Sequence, residues 1–268
     1  MNGLDQRTDT GGTTSVAGPA STAAVGKQSL VDTARTGAPT AAGPSAESTQ
    51  AGATAAPDVD VGAPNVEGGG TTGGPLTKDK AKQILQDAFG KYKTITEGTV
   101  EVLEQAAFQA AYDKIYGKTQ YSWDKWVKPI HGNLNGFAYN GVNYINKAMA
   151  NTGTVPHEML HNNAASDWRP FVGSQFDEGA TDVLKQFALK KAGLSSPNSY
   201  PDQISCVRAF LDSGVSEDQL FTAYLKSGAA TIVGDHVDKT CAGSWADVKA
   251  AMEAKDWAKA KVKLAKKK

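Results

Sequence analysis

Residues 154–163 read Thr-Val-Pro-His-Glu-Met-Leu-His-Asn-Asn, and residues 176–182 read Phe-Asp-Glu-Gly-Ala-Thr-Asp. In the first stretch His157 and His161 are four residues apart, so a helix would bring both imidazoles onto one face. The local sequence favours that helix, because Thr-Val-Pro precedes the histidines and puts proline near the first helical position. The intervening Met-Leu pair gives an apolar side to bury. The first stretch therefore predicts a helix that offers two imidazoles to one ligand.

The second stretch carries another pair of side chains at helical spacing. Glu178 and Asp182 are four residues apart, and the apolar Val-Leu and Phe-Ala-Leu that follow indicate a helix with one buried face. The chain has only four histidines and nine glutamates, so a His-Glu-x-x-His pattern would arise in roughly 0.2% of shuffled chains. Two ordinary surface histidines are the alternative interpretation, and the acidic pair makes it the weaker one.

Together the two stretches supply the ligand set of a catalytic zinc ion. Such an ion takes three protein ligands and keeps one position open for water, and two histidines with one glutamate are a recurring set. His157, His161 and Glu178 are therefore predicted to bind Zn²⁺. Glu158 is then left as the general base, which takes the proton from the zinc-bound water during attack on a carbonyl and passes it to the leaving amine.

The two predicted imidazole ligands also need partners for their second ring nitrogens. That partner is usually a carboxylate, and Asp182, one turn after Glu178, is the first candidate for the role. Asp177 is the second candidate. Gly179, beside the predicted glutamate ligand, is expected either to let its helix pack closely against the histidine helix or to mark a helix start.

The pattern His-Glu-x-x-His at 157–161, followed by Glu178-x-x-x-Asp182, resembles the gluzincins, the thermolysin-like clan of zinc metallopeptidases. The resemblance implies a compact zincin-like domain and zinc-dependent hydrolysis of peptide bonds in a protein or peptide substrate. It also implies roles for individual residues: zinc ligands at His157, His161 and Glu178, the base at Glu158, and an orienting carboxylate at Asp182. The stretch between the two motifs is shorter than in thermolysin itself, which predicts a compact relative.

Upstream of the histidines, residues 134–146 alternate apolar and polar positions around Asn140-Gly141, the strongest short-range signal of a β-hairpin. Zincins resemble one another in placing an edge strand above the metal, where an extended substrate adds as a further strand through main-chain hydrogen bonds. Either residues 134–139 or residues 142–146 could form that edge. A hairpin that only covers the core is the alternative.

The residue that would stabilise the oxyanion is not marked by any motif. Gluzincins usually place a Tyr or His from a later segment there, and Tyr224 and His236 are the candidates. Tyr224 lies in an apolar stretch of a predicted helix, which favours a core position, and a surface loop is the alternative for His236. His131 is expected in a loop without a catalytic role.

Composition divides the chain in two. Residues 1–75 contain no aromatic residue and no isoleucine, two leucines, and six of the eleven prolines, so they bury too little apolar surface to offset the entropy of ordering. This segment is predicted to be a disordered leader. Residues 76–268 hold every aromatic side chain and have the size of one domain with a single core.

Apolar residues at helical spacing predict a mainly helical domain of the α+β class with a small β-element. One helix is expected after a Thr77 cap, and others over residues 100–116, 203–211, 217–226 and 245–254. The tryptophans that are expected to pack in the interior, or in the last case to wall the cleft, are Trp123, Trp126 and Trp168.

Cysteine and charge patterns add smaller constraints. Cys206 and Cys241 lack the Cys-x-x-Cys spacing of a zinc site, and as an even pair they leave a disulfide open. The formal net charge is zero, and the seven lysines among the last fourteen residues are expected to form a solvated helix end. Contact of that end with nucleic acid or an anionic membrane is the alternative, although no nucleic-acid-binding signature accompanies it. No segment is long and apolar enough to span a membrane.

The amino-terminal residues lack the basic-then-apolar pattern of a Sec signal, so the protein is expected to be delivered by a dedicated bacterial system or to stay in the cytoplasm. Residues 25–31, Val-Gly-Lys-Gln-Ser-Leu-Val, resemble an element in leaders of proteins that accompany bacterial extracellular contractile injection systems. That resemblance implies a cargo toxin or an associated metallopeptidase that the particle takes up through the leader. Two other functions stay open: a catalytically silent zincin that serves as a binding or assembly module, which the intact Glu158 disfavours, and a zinc amidase that acts on a non-protein amide.

Overall fold

The computed structural model describes residues 58–60, 73–130 and 133–267. The strands are β1 (Asp58–Asp60), β2 (Thr99–Leu103), β3 (Gly136–Tyr139) and β4 (Val142–Asn146). The helices are α1 (Lys78–Phe89), α2 (Gln105–Tyr116), α3 (Lys128–Ile130), α4 (Thr154–Asn163), α5 (Trp168–Val172), α6 (Ser174–Lys191), α7 (Pro201–Asp212), α8 (Glu217–Leu225), α9 (Thr231–Thr240), α10 (Trp245–Glu253) and α11 (Trp257–Leu264), and a π-helical segment, Trp123–Val127, leads into α3. The prediction of a mainly helical α+β fold with a small β-element is confirmed.

The four strands form one sheet in the order β1-β3-β4-β2. The predicted hairpin is confirmed: β3 and β4 pair antiparallel, and Asn140 and Gly141 between them adopt positive φ values of 48° and 77°. Two successive left-handed residues are what a two-residue hairpin turn requires. In this order β4 lies between β3 and β2. Of the two hairpin strands, β3 is therefore the one that lies next to the edge strand β1.

Most of the predicted leader, including residues 25–31, lies outside the described residues, and so does His131. The part of the leader that is described includes β1, which pairs antiparallel with β3. The composition of the leader did not predict this strand.

The prediction of one helix over residues 100–116 is wrong for its first part. That range divides at Glu104, before which β2 runs parallel to β4 with Thr99 opposite Val142. The β-branched residues of this stretch suit a pleated strand, and pairing with a neighbouring strand satisfies the backbone groups that a helix would otherwise satisfy. Long-range pairing therefore overrides the local helical spacing.

The other predicted helices are confirmed, with ends that differ by one or two residues. Thr77 accepts a hydrogen bond from Lys80 N at 3.3 Å and begins α1, while Ser216 and Ser244 each form a reciprocal capping box at the start of α8 and α10. The sequence did not predict α9. His236 lies in this helix, so the expectation of a loop there is wrong.

The buried hydrophobic residues of the described chain form two clusters. The larger one includes Val155, Met159 and Leu160 of α4 together with residues of the helices that follow it. The smaller one is rich in aromatic residues from α2, the π-helical segment and β3, and contains Phe108, Tyr112, Tyr116, Trp123, Val127, Leu134 and Phe137. Because α4 packs against β3 on one side and α6 on the other, its polar side chains are held in the interior.

The carboxyl-terminal part of the described chain is also packed against the domain. Cys206 and Cys241 are both buried free thiols, so no disulfide joins them. The lysine-rich end is not merely a solvated helix end, since α11 buries Ala260 and Leu264, and Lys267 N donates a hydrogen bond of 2.9 Å to Thr240 O. None of the helices in the described part of the chain has both the length and the apolar surface that crossing a bilayer requires.

Candidate metal centre

Three buried side chains from α4 and α6 converge on one point. The Nε2 atoms of His157 and His161 are 3.1 Å apart, and Oε2 of Glu178 lies 3.3 Å from each of them. The i, i+4 spacing puts both imidazoles on the face of α4 that is turned toward α6, and Glu178 faces them from the second turn of α6. These three residues form a group that can bind a metal ion.

The separations among the three ligand atoms fit a single small cation. Nitrogen and oxygen ligands at about 2.0–2.2 Å from a tetrahedral ion would stand about 3.3–3.6 Å from one another. The observed edges of 3.1–3.3 Å are close to that range. Little movement is therefore needed for His157, His161 and Glu178 to share one ion.

Asp182 contacts the ring nitrogen of His157 that is not part of the ligand triangle. The imidazole Nδ1 lies 3.4 Å from Asp182 Oδ1, which also forms a buried ion pair with Lys185. The other carboxylate oxygen of Asp182 accepts hydrogen bonds from Gln186 Nε2 at 3.2 Å and from Ser199 N at 3.3 Å. Burial opposes ionisation of this carboxyl, but Lys185 and His157 outweigh it and hold the pKa of Asp182 below its ordinary value. Asp182 is thus a fixed, charged support for one imidazole.

His161 has a carboxylate of its own, and it is Asp177. Its Nδ1 lies 3.4 Å from Asp177 Oδ2, while Trp168 Nε1 donates a 2.7 Å hydrogen bond to Asp177 Oδ1. Burial lowers the pKa of His161, but Glu178 and Asp177 outweigh that effect and hold it well above its ordinary value. The sequence made Asp182 and Asp177 alternatives for one role, whereas the structure gives each of them a different imidazole. Trp168 supports this arrangement from the core and does not wall a cleft.

Carboxylates and cationic side chains surround the ligand triangle. Ion pairs around the two imidazoles bring in cationic groups from Lys185 and from Arg169, whose Nη1 lies 3.6 Å from Asp177 Oδ2. Four carboxylates lie on the same two helices: Glu158, Asp177, Glu178 and Asp182.

Glu158 is fully buried on the side of α4 that faces β3. A Cβ atom on Gly136 of β3 would stand 2.9 Å from Glu158 Oε1 and 3.0 Å from Thr154 Cγ2, so only glycine lets the strand run this close to the carboxylate. Tyr116 of the aromatic cluster lies near the same carboxylate. Burial raises the pKa of its hydroxyl, and the charges of Tyr139 and Glu158 raise that pKa further. Glu158 therefore lies against the main chain of β3.

Comparisons of this chain with protein-family models, with curated proteins and with solved structures found no match. The chemistry of the centre is therefore inferred from its own geometry. The features that bear on it are the ligand triangle, the two supporting carboxylates and the buried Glu158.

The neighbours of Gly179 correct one expectation about helix packing. A Cβ atom at Gly179 would lie 2.8 Å from the carbonyl carbon and oxygen of Gln203 in α7. The missing side chain thus lets α6 approach α7, and the expectation that it lets α6 approach α4 is wrong. The close approach still serves the site, because it fixes the helix that carries Glu178 against the core.

The two candidates for the oxyanion make hydrogen bonds to groups other than the ligand atoms. Tyr224 is still close enough to the centre for its pKa, which burial raises, to be affected by the charges of His161, Asp177 and Glu178. Tyr224 is fully buried, and its hydroxyl lies 2.8 Å from Thr181 Oγ1, so it packs behind α6 as the core interpretation expects. His236 Nε2 lies 2.9 Å from Ser213 Oγ, and its ring packs edge-on against Phe210. None of these contacts joins Tyr224 or His236 to a ligand atom.

A tyrosine that the sequence did not single out lies nearer to the centre. The ring of Tyr200 stacks on the imidazole of His157, with centroids 5.6 Å apart and an interplanar angle of 20°. Tyr200 stands just before Pro201, which begins α7. Pro201 signals a helix start, but no local pattern reports a stacking partner more than forty residues away, so sequence reasoning had no means of finding this contact.

Proposed function

We propose that this protein is a zinc-dependent hydrolase of peptide bonds in proteins or peptides, of the gluzincin type that the His-Glu-x-x-His motif resembles. The observation that carries the proposal is the triangle of His157, His161 and Glu178, together with the buried Glu158, which follows His157 in α4. A carboxylate next to a metal-binding group, and not itself one of its three members, is the arrangement that general-base hydrolysis requires.

The side chains would divide the chemistry as follows. A Zn²⁺ ion held by His157, His161 and Glu178 would act as a Lewis acid and lower the pKa of a bound water. Glu158 accepts the proton of the attacking water and returns it to the leaving amine. The two supporting aspartates keep each imidazole in the orientation that directs its Nε2 at the ion.

The position of β3 favours a peptide over another amide as substrate. Its residue Gly136 touches the Glu158 side chain, so an extended chain paired with β3 would pass beside the base. Main-chain pairing at a sheet edge recognises peptides without regard to most of their side chains. A substrate without consecutive main-chain amides lacks that set of donors and acceptors.

The test is the substitution Glu158→Gln with Glu217→Gln as the matched control. Glu217 is exposed in the first turn of α8, so its amide variant should keep both zinc and turnover. Glu158→Gln should keep one zinc per chain, measured by elemental analysis, and lose hydrolysis of a quenched fluorescent peptide library, because an amide does not accept the proton. Glu178→Ala should lose the zinc itself. Peptide turnover that persists in zinc-loaded Glu158→Gln would refute the mechanism.

Delivery as an effector or toxin of a bacterial contractile injection system is the second part of the proposal. It rests on the Gly-Lys-Gln-Ser-Leu element at residues 26–30. Deleting residues 1–45 removes that element and retains β1, so zinc content and peptide turnover should stay unchanged while uptake into the particle is lost. Uptake that is unaffected by the deletion would refute the role of the leader as an address.

A further inference from the structure

The leader returns to the domain at the strand that borders the candidate active site. Residues 58–60 of β1 lie antiparallel to β3, with Asp58 opposite Ala138 and Asp60 opposite Gly136. Since β4 covers the other side of β3, β1 occupies the edge that β3 would otherwise expose. An edge of this kind is a template for any extended chain.

The direction of main-chain hydrogen bonds alternates along β3, and this alternation shows which of its main-chain groups face β1. Asn146 N donates to Asn135 O at 2.8 Å, so Asn135 is turned toward β4. In antiparallel pairs the direction alternates from one residue to the next. Gly136 and Ala138 therefore direct their N–H and C=O groups at β1, and their partners Asp60 and Asp58 direct theirs back.

This edge also includes the residue that packs against the proposed base. Gly136, which faces β1 with its main chain, is the residue whose missing side chain makes room for Glu158. β1 comes within 8 Å, Cα to Cα, of α4, the helix that carries both histidines and Glu158. The leader strand thus lies against the two elements that would hold an extended substrate.

We propose that the edge of β3 is a binding site for an extended peptide segment and that residues 58–60 of this chain are its resident occupant. The leader then closes the centre to other peptides until β1 is released. The closing role rests on the proposed peptidase function, whereas the binding site and its occupant do not.

The sequence around β1 suits a segment that can be released from the edge of β3. Residues 58–61 read Asp-Val-Asp-Val, the alternating pattern of a strand, and Pro57 and Pro64 stand on either side. A three-residue strand with few hydrogen bonds is held more weakly than a full-length strand and can exchange with a competing peptide.

The alternation of the strand provides a matched pair of variants in the full-length chain. Asp58→Pro combined with Asp60→Pro removes the two N–H groups that face β3, while Val59→Pro removes one that faces away. All three positions keep an extended backbone, which proline tolerates. Asp58→Asn with Asp60→Asn removes the same two charges as the proline pair and keeps the donors.

Two readouts measure occupancy without any need for activity. Amide hydrogen exchange at Gly136 and Ala138 should be about tenfold faster or more in the double-proline variant than in the parent, Val59→Pro and the double-asparagine variant. A fluorescent peptide with the sequence of residues 52–66 should bind the double-proline variant, by anisotropy, and not the parent. Equal exchange in all four proteins, or equal peptide binding, would overturn the inference. Release by the double-asparagine variant would overturn it as well, since charge and not main-chain pairing would then hold the segment.

Turnover separates this inference from the proposed function. If both hold, the double-proline variant should hydrolyse the quenched peptide library about tenfold faster than the parent, and the added 52–66 peptide should inhibit it competitively. If the double-proline variant shows faster amide exchange and binds the 52–66 peptide, but no variant hydrolyses the library, the proposed peptidase function is refuted and the peptide-binding site is retained. Hydrolysis that is equally fast in the parent, with β3 amides protected, would refute the closing role.

Discussion

Replacing Asp182 by asparagine should damage the protein in two separable ways, because this carboxylate contacts both the proposed metal ligand His157 and the buried Lys185. The side chains of Asp182 and Lys185 expose 0% and 1% of their surface, so the substitution leaves an ammonium group in the interior without its counter-ion. Breaking a buried ion pair costs about 3–5 kcal/mol. Asparagine can still accept a hydrogen bond from the lysine, so we expect about 3 kcal/mol for Asp182→Asn.

The second effect concerns the metal. Asp182 Oδ1 lies 3.4 Å from His157 Nδ1, and loss of a carboxylate that orients a ligating imidazole lowers metal affinity by about 10–100-fold, or about 1.4–2.7 kcal/mol of binding free energy. Adding Lys185→Met removes the unpaired charge at nearly constant volume. The double variant should therefore recover most of the stability and none of the zinc affinity.

The assay needs both quantities for the parent, Asp182→Asn, Lys185→Met and the double variant. Urea unfolding in the presence of a chelator gives the free energy of unfolding without the contribution of the metal, and competition with a chromophoric chelator gives zinc affinity. If the double variant regains zinc affinity together with stability, Asp182 acts only through the fold. If Asp182→Asn binds zinc as the parent does, Asp182 does not orient the imidazole.

Three further substitutions test other parts of the site. Gly136→Ala should retain zinc and reduce peptide turnover at least tenfold, because the new methyl group would stand 2.9 Å from Glu158 Oε1 and displace the base; zinc analysis and turnover check this. Asp177→Asn should weaken zinc binding about 10–100-fold by releasing His161, measured by the same chelator competition. His236→Ala should leave zinc and turnover unchanged and reduce the free energy of unfolding by about 1 kcal/mol through loss of one hydrogen bond, measured by urea unfolding.

Each of these expectations has a control or a contrary result. Gly74→Ala places a methyl group in open space and should change neither zinc content nor turnover. If Asp177→Asn binds zinc as tightly as the parent does, His161 does not need the Asp177 carboxylate in order to bind the ion. If His236→Ala keeps its zinc content but loses turnover, His236 takes part in the reaction.

Much of the fold and of the ligand set could be predicted from local patterns in the sequence. The spacing of His157 and His161 predicts a helix face, Thr77 predicts a helix start, and Asn140-Gly141 predicts the hairpin. In each case the deciding interactions span only a few residues: one helical turn, a cap, or a two-residue turn. That is why these predictions needed no knowledge of the rest of the chain.

The tertiary structure alone decided which distant groups meet. Residues 99–103 become a strand because β4 is there to pair with them, Asp177 and Asp182 are divided between two imidazoles by the relative position of α4 and α6, and Tyr200 reaches His157 across more than forty residues. Residues 58–60 belong to a segment whose composition predicts disorder, and only the fold supplies the β3 edge on which they form a strand. Pairing, packing and ion-pair energies depend on separation in space, and the order of residues along the chain does not encode that separation locally.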